Sequence, residues 1–195
     1  MNTIEFTEYI YQDRIELPLV EDSLTNVYQI HDRFPHSIDK TNVNGWQRHG
    51  LHETQLFDNL IESIFHSFDQ VMNHLHDKYS RNLGDEQGWN VSVENLFANI
   101  DKNGSYHRMH NQYGCDYSGV IYLKTPKNSG DIFMQCPFRS PWMSKFSVST
   151  NQSYYKQITP YPGLLLIFPS YILHHVDPNQ SDEDRVSLSF KLKLG

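Results

Sequence analysis

Two histidines of the 195-residue chain, His110 and His174, stand where a metal ligand is expected. His110 ends a predicted strand and precedes a polar loop, and His174 lies where the chain re-enters a sheet after the turn Phe168-Pro169-Ser170. An imidazole nitrogen in either place suits iron, copper, nickel or zinc. Taken alone, His110 is more simply explained as a loop histidine that hydrogen-bonds the backbone. The seven histidines of the first 84 residues, His49 among them, lack metal-ligand spacing, and we assign them no role.

The segment 185–194 alternates apolar and polar residues. The apolar positions are Val186, Leu188, Phe190 and Leu192, and the polar positions are Arg185, Ser187, Ser189 and Lys191. Successive side chains of a strand point to opposite faces, so the pattern predicts one apolar face and one polar face. The polar face either meets solvent on a surface strand or faces the inside of a jelly roll, where Arg185 and Ser187 would contact a bound anion.

Residues 177–182 have the composition of a connecting turn. If a hairpin closes about the centre of this turn, His174 lies opposite Arg185, with Ser187 one step along. A one-residue slip would bring His175 into that position instead. A metal beside a permanently charged arginine suits a ligand with a carboxylate at each end. One end would chelate the metal together with a keto oxygen and the other would pair with the guanidinium, which describes 2-oxoglutarate.

The elements that must position these residues form a helical front and a strand-rich back. Apolar residues three and four positions apart predict a long amphipathic helix over 53–79, and a shorter helix is predicted over 23–34. After residue 84, β-type runs alternate with turn signals such as Asp101-Lys102-Asn103-Gly104. The predicted strands are 89–100, 106–110, 119–123, 131–135, 154–158, 163–168, 171–176 and 185–194. This order predicts an α+β fold that is mainly β, a double-stranded β-helix or jelly roll with helices of the N-terminal half on one face.

Length and composition restrict the remaining possibilities. A chain of 195 residues predicts a single domain, 1–195, with a helical part over about 1–84 and a jelly-roll core over about 85–195. The net charge of −7 disfavours nucleic acid as a partner. The longest apolar run, five residues at 164–168, is far shorter than the roughly 20 that a membrane span needs. With two cysteines, Cys115 and Cys136, and no signal-like N-terminal stretch, we expect a reducing, cytoplasmic setting.

Several short motifs together resemble a known family, the 2-oxoglutarate- and Fe(II)-dependent oxygenases of bacteria and phages. The matching stretches are 89–104, His110-Asn111-Gln112, Ser118-Gly119-Val120-Ile121-Tyr122-Leu123, Ser129-Gly130-Asp131, Pro162-Gly163, Phe168-Pro169-Ser170, His174, Arg185-Val186-Ser187-Leu188-Ser189-Phe190 and, before the long helix, Gly45-Trp46-Gln47. Each piece is weak alone, and the order and spacing make the combination specific. The resemblance implies an oxygenase that uses Fe(II) and 2-oxoglutarate to hydroxylate an unidentified substrate.

The resemblance also implies the roles of particular residues. It implies that His110 and His174 bind the iron. It further implies a set of side chains around the distal carboxylate of 2-oxoglutarate, which consists of Arg185, Ser187, Tyr122 and Asn99.

Gln112 departs from the family pattern. The second ligand position holds an acid in most of these oxygenases and often a second histidine in this subfamily, and a glutamine amide oxygen is a weak, neutral donor. Three explanations are open. Gln112 itself ligates the metal, Asp116 or His107 replaces it, or water fills the position.

Two other functions are compatible with the sequence. One is a non-catalytic jelly roll for binding or assembly with a degenerate metal site, and the other is a cupin-like metalloenzyme that needs no 2-oxoglutarate. The step of eleven positions from Gly163 to His174, with a buried strand within it, favours the oxygenase over the cupin. Substrate specificity is expected in the loop 136–160, whose aromatic and basic residues could hold a peptide, a nucleobase or a small metabolite, or form a homodimer contact. These residues are Phe138, Arg139, Trp142, Phe146, Tyr154 and Tyr155.

Overall fold

Two antiparallel β-sheets pack face to face in the computed structural model, which describes residues 9–38, 41–83, 90–137 and 154–195. The larger sheet has six strands, in the spatial order β1 (Tyr11–Arg14), β9 (Leu164–Pro169), β6 (Tyr117–Lys124), β11 (Arg185–Leu194), β4 (Val91–Asp101) and β3 (Trp46–Arg48). The smaller sheet has five, in the order β2 (Asn42–Val43), β5 (Tyr106–His110), β10 (His174–Val176), β7 (Ile132–Gln135) and β8 (Tyr155–Ile158).

Two α-helices cover the outer face of the larger sheet. Helix α1 spans Leu17–Arg33 and has a proline in its first turn, where a missing N–H costs nothing. Helix α2 spans Asp58–Leu83 and follows two short 3-10 turns. Apolar residues of both helices form one core with β4, β6, β9 and β11. The predicted jelly roll with helices on one face is confirmed, although α1 begins at Leu17 rather than at residue 23.

Strand β11 places its apolar residues under the helices and its polar residues between the sheets. The outer set is fully buried and consists of Val186, Leu188, Phe190 and Leu192. On the opposite face Arg185 is 1% exposed and Ser187 is 5% exposed. Of the two interpretations of this segment, the surface strand is therefore wrong and the inward-facing polar row is correct.

A second apolar core fills part of the space between the sheets. Strand β9 contributes to both cores, because Leu164, Leu166 and Phe168 face the smaller sheet while Leu165 and Ile167 face the helices. Burial on both faces explains why this strand is an unbroken apolar run.

The predicted hairpin between His174 and Arg185 is wrong. Strand β10 pairs with β5 and β7 in the smaller sheet, whereas Arg185 pairs with Asp101 of β4 in the larger sheet. The segment that follows β10 therefore crosses from one sheet to the other instead of folding back. It is anchored by the buried Asn179, whose Nδ2 donates to the Asp101 carbonyl at 2.8 Å.

The front part of the chain is not purely helical. It supplies β1 and β3 to opposite edges of the larger sheet and β2 to an edge of the smaller one. These strands are four, three and two residues long, too short to show a period in the sequence. In the described part of the chain, no helix combines the length and apolar character that a membrane span requires.

Candidate active site

A polar cavity lies between the two sheets. Its lining includes every predicted site residue except Asp116, namely Asn99, His110, Gln112, Tyr122, His174, Arg185 and Ser187. Because these residues come from β4, β5, β6, β10, β11 and the loop after β5, the packing of the two sheets brings them together.

His110 and His174 face each other across the β5–β10 pair. His174 is the direct antiparallel partner of His110, and their ring centroids are 4.2 Å apart. The neighbouring His175 does not line this cavity and stacks on Phe133 with a centroid distance of 4.9 Å. The register therefore selects His174 rather than His175 as the inward residue.

Both imidazoles are held in one tautomer by the backbone. Nδ1 of His110 lies 2.6 Å from the Arg108 carbonyl, and Nδ1 of His174 lies 2.9 Å from the Ile172 carbonyl. A carbonyl oxygen only accepts, so each Nδ1 donates its hydrogen and each Nε2 keeps its lone pair. Burial lowers the pKa of His110 to about 4 and the pKa of His174 to about 3. Two neutral rings with free Nε2 lone pairs are what a metal ion needs from histidine.

Gln112 lines the same cavity from the loop after β5. Its backbone N–H donates to the Ser170 carbonyl at 2.9 Å, which ties this loop to the turn after β9. Within the described residues, no three histidine, cysteine, aspartate or glutamate side chains are grouped so that they could hold a metal ion. Gln112 is therefore the residue of this loop that lines the cavity together with the two imidazoles.

The two predicted substitutes for Gln112 are both engaged by other groups. The carboxylate of Asp116 accepts from the Leu194 N–H at 2.9 Å and pairs with Lys193 at 3.2 Å, at the end of β11 and away from the cavity lining. His107 does line the cavity, but its Nε2 lies 3.1 and 3.2 Å from the two carboxylate oxygens of Asp101. Neither placement supports replacement of Gln112 by these residues.

Arg185 is held by a network of buried acceptors. Its Nε and Nη2 donate to Asp101 Oδ2 at 3.3 and 3.0 Å, and Nη1 donates to the carbonyls of Ser129 and Asp177 at 2.5 and 3.1 Å. These contacts use four of the five N–H bonds of the guanidinium. As far as the described residues go, one Nη2 hydrogen is left for a ligand in the cavity.

Asp101 was missed by the sequence analysis, which assigned it to a turn. It is fully buried, and its carboxylate accepts from Asn42, His107 and Arg185, which lie on strands of both sheets. Burial raises the pKa of Asp101, but the adjacent His107 and Arg185 outweigh that effect and hold its pKa below the ordinary value. The ionised carboxylate therefore compensates the charge of Arg185. Asp101 is identified by its register position opposite Arg185 in the β4–β11 pair, and that pairing is visible only in the folded structure.

A row of polar side chains crosses the inner face of the larger sheet beside Arg185. Tyr122 of β6 pairs with Ser187 of β11, which pairs with Asn99 of β4. Burial raises the pKa of Tyr122, so its hydroxyl stays protonated and can donate. A guanidinium hydrogen, a phenol and a serine hydroxyl next to one another suit a carboxylate.

The position of Arg185 also depends on Gly130. The φ of Gly130 is +89°, and a Cβ on this residue would lie 2.4 Å from the Asp177 carbonyl oxygen and 2.9 Å from Arg185 Nη1. Gly104 has a similar φ of +81° with open space around it. We expect Gly104→Ala to lower the free energy of unfolding by about 1 kcal/mol through backbone strain. We expect Gly130→Ala to lower it by about 2–4 kcal/mol, because crowding adds to the strain. Urea unfolding measures both, and equal losses would contradict the crowding at Arg185.

The predicted substrate loop, 136–160, falls mostly outside the described residues, and this includes Phe138, Arg139, Trp142 and Phe146. Of the two described tyrosines, Tyr155 contacts the rings of Phe133 and His175. Tyr154 packs against Tyr155 with ring centroids 4.7 Å apart.

Comparison with known proteins relates the chain to one family. Residues 95–191 match the model of the family described as "Putative 2OG-Fe(II) oxygenase". No curated protein matches the chain in sequence.

Solved structures share the fold over almost the whole chain. A Pseudomonas putida prolyl-4-hydroxylase is 17% identical with a TM-score of 0.62, and the alignment covers 97% of this chain and 95% of that one. The viral collagen prolyl hydroxylase of Paramecium bursaria Chlorella virus-1, solved with 2-oxoglutarate, is 14% identical with a TM-score of 0.56, covering 95% and 96%. HygX from Streptomyces hygroscopicus, solved with nickel and 2-oxoglutarate, is 10% identical with a TM-score of 0.64, covering 96% and 83%. At these identities the likeness shows the fold, the double-stranded β-helix.

Proposed function

The chain belongs to the 2-oxoglutarate- and Fe(II)-dependent oxygenases, and on that premise we propose that His110 and His174 are its iron ligands. The observation that carries this proposal is the pair of adjacent, neutral imidazoles whose Nδ1 atoms are both held by carbonyls. Their Nε2 lone pairs belong to a donor type that suits Fe(II). The residues present therefore fit the metal.

The far side of the cavity fits the cosubstrate. We propose that the distal carboxylate of 2-oxoglutarate is bound by the polar set that lines it, Arg185, Ser187, Tyr122 and Asn99. Apolar neighbours such as Val120 and Phe168 line the same cavity and limit its water content, which strengthens each hydrogen bond to the carboxylate. Iron and 2-oxoglutarate, when bound, supply the oxidising chemistry, and the protein supplies binding and orientation.

An anaerobic titration tests the function directly. Addition of Fe(II) and then 2-oxoglutarate should produce a weak visible charge-transfer band, and admission of O₂ should release succinate. A protein that binds neither component, or that gives the band without succinate in the presence of any substrate, fits instead the non-catalytic jelly roll with a degenerate site.

We propose that Gln112 is the third protein ligand, through its amide oxygen. Gln112→Leu should then weaken Fe(II) binding about tenfold, the low end of what removal of a supporting group costs a metal site. Gln112→Glu has the same shape and adds a charged oxygen, so it should tighten Fe(II) binding. Anaerobic titration against a competing chelator measures both. Unchanged affinity in Gln112→Leu would mean that water fills the position.

The proposal extends to the setting and the substrate. Cys115 and Cys136 are both unpaired, which supports a reducing, cytoplasmic setting. The net charge of −7 supports a small molecule or a peptide rather than nucleic acid as the substrate.

A further inference from the structure

A chain of side-chain hydrogen bonds runs along the inner face of the larger sheet and ends at the cavity. Asn95 Nδ2 lies 3.0 Å from His49 Nδ1, and His49 Nε2 lies 3.1 Å from Gln47 Oε1. Gln47 Nε2 lies 2.8 Å from Asn99 Oδ1. Gln47 and Asn99 are each 1% exposed, so bulk water does not compete with this contact.

The backbone sets the direction of the chain. The Gly50 N–H donates to Asn95 Oδ1 at 3.0 Å, so the Asn95 amide must turn its NH₂ group toward His49. Since an amide nitrogen only donates, His49 Nδ1 accepts and the hydrogen of its neutral ring is on Nε2. That hydrogen goes to Gln47 Oε1, and the Gln47 NH₂ group then donates to Asn99 Oδ1. The Gly50 N–H can only donate, so every hydrogen bond from Asn95 to Asn99 has one fixed direction.

The last amide in the chain therefore presents its NH₂ group to the cavity. Asn99 Nδ2 lies 3.5 Å from Ser187 Oγ and 3.4 Å from Ser189 Oγ. Because both serine oxygens accept from Asn99, each hydroxyl keeps its own hydrogen for another acceptor. Ser187 and Ser189 both line the cavity. A carboxylate in the cavity would satisfy these donors.

We propose that Gln47 and His49 are positioning residues that fix this end of the cavity as a set of hydrogen-bond donors for the distal carboxylate of the cosubstrate. The proposal rests on the function proposed above and extends it to two residues that do not contact the ligand. Neither residue lines the cavity, and they act through the orientation of Asn99.

A substitution that reverses the direction of these hydrogen bonds tests the proposal. In Gln47→Glu the side chain keeps its shape and still accepts from His49, but it has no N–H for Asn99. The Asn99 amide then turns to donate to Glu, and its Oδ1 takes the serine hydrogens away from the cavity. We expect about tenfold to a hundredfold weaker binding of 2-oxoglutarate, the loss of a hydrogen bond to a charged group. Calorimetric titration of the metal-loaded protein measures this affinity without turnover.

Two comparisons separate positioning from a structural effect. The keto acid 2-oxobutyrate has the same chelating end as 2-oxoglutarate and no distal carboxylate, so its affinity should be the same in Gln47→Glu and in the original protein. Gln55→Glu adds the same charge at an exposed residue and should leave both affinities unchanged.

A second variant keeps the test open if Gln47→Glu does not fold. Gln47→Met neither donates nor accepts, so Asn99 can take either orientation and 2-oxoglutarate binding should weaken by less than in Gln47→Glu. Unchanged 2-oxoglutarate affinity in a folded variant, or equal losses for both keto acids, would overturn the positioning role. Failure of the original protein to bind 2-oxoglutarate would instead overturn the proposed function.

Discussion

Replacement of His174 by alanine is expected to abolish stable Fe(II) binding and to lower succinate production by roughly 10³-fold, several kcal/mol of lost catalysis. The Nδ1 of this ring is held by the Ile172 carbonyl at 2.9 Å, so the Nε2 atom that would bind the metal has a fixed position. The neighbouring His175 cannot take its place without a change of register. Iron content after anaerobic loading and the succinate yield measure the effect.

His175→Ala is the matched control for that experiment. The substitution is chemically the same and lies one residue away, but the His175 ring stacks on Phe133 and its Nε2 lies 3.6 Å from Asp177 Oδ1. Iron content and turnover should stay at the level of the original protein. Retention of iron by His174→Ala, or its loss from His175→Ala, would contradict the assigned ligand.

Replacement of Arg185 by methionine is expected to lower the free energy of unfolding by about 3–5 kcal/mol. It is also expected to abolish the binding of 2-oxoglutarate. The stability loss arises because the fully buried Asp101 carboxylate would lose the cation that compensates it. Urea unfolding measures the first effect and calorimetric titration with 2-oxoglutarate measures the second.

The double variant Asp101→Asn with Arg185→Met separates the two effects. It removes both charges of the buried pair and keeps an amide oxygen as acceptor for Asn42 and His107. Most of the lost stability should return, while 2-oxoglutarate should still fail to bind. Restored 2-oxoglutarate binding in the double variant would show that Arg185 is not needed for the carboxylate.

Local patterns were sufficient to predict the two helices and the strands after residue 84. They also singled out His110, His174, Arg185 and Ser187, which line the cavity. The period of two over 185–194 predicted both ends of β11, and the boundaries of β5 were predicted equally well. His110 could be singled out because it ends a predicted strand before a polar loop, and His174 because it lies where the chain re-enters a sheet after the turn Phe168-Pro169-Ser170.

Relations between distant parts of the chain could not be predicted in the same way. Proximity along the chain suggested that His174 and Arg185 share a hairpin, but the strand order places them in different sheets. Asp101 and Arg185 are 84 residues apart, and nothing in the local sequence of either indicates that they pair. The side-chain hydrogen bonds that link His49 to Asn99 likewise depend on the pairing of β3 with β4.

The place of β11 in the larger sheet bears on how the molecule is assembled. This strand follows all other described strands in the sequence, yet it lies between β6 and β4 in the middle of the sheet. Until it is inserted, β4 and β6 each present an unpaired edge, and such edges are prone to association with other chains. Long-range pairings of this kind also slow folding. Since Arg185 and Ser187 lie on this strand, the cavity that they line is complete only once β11 has been inserted.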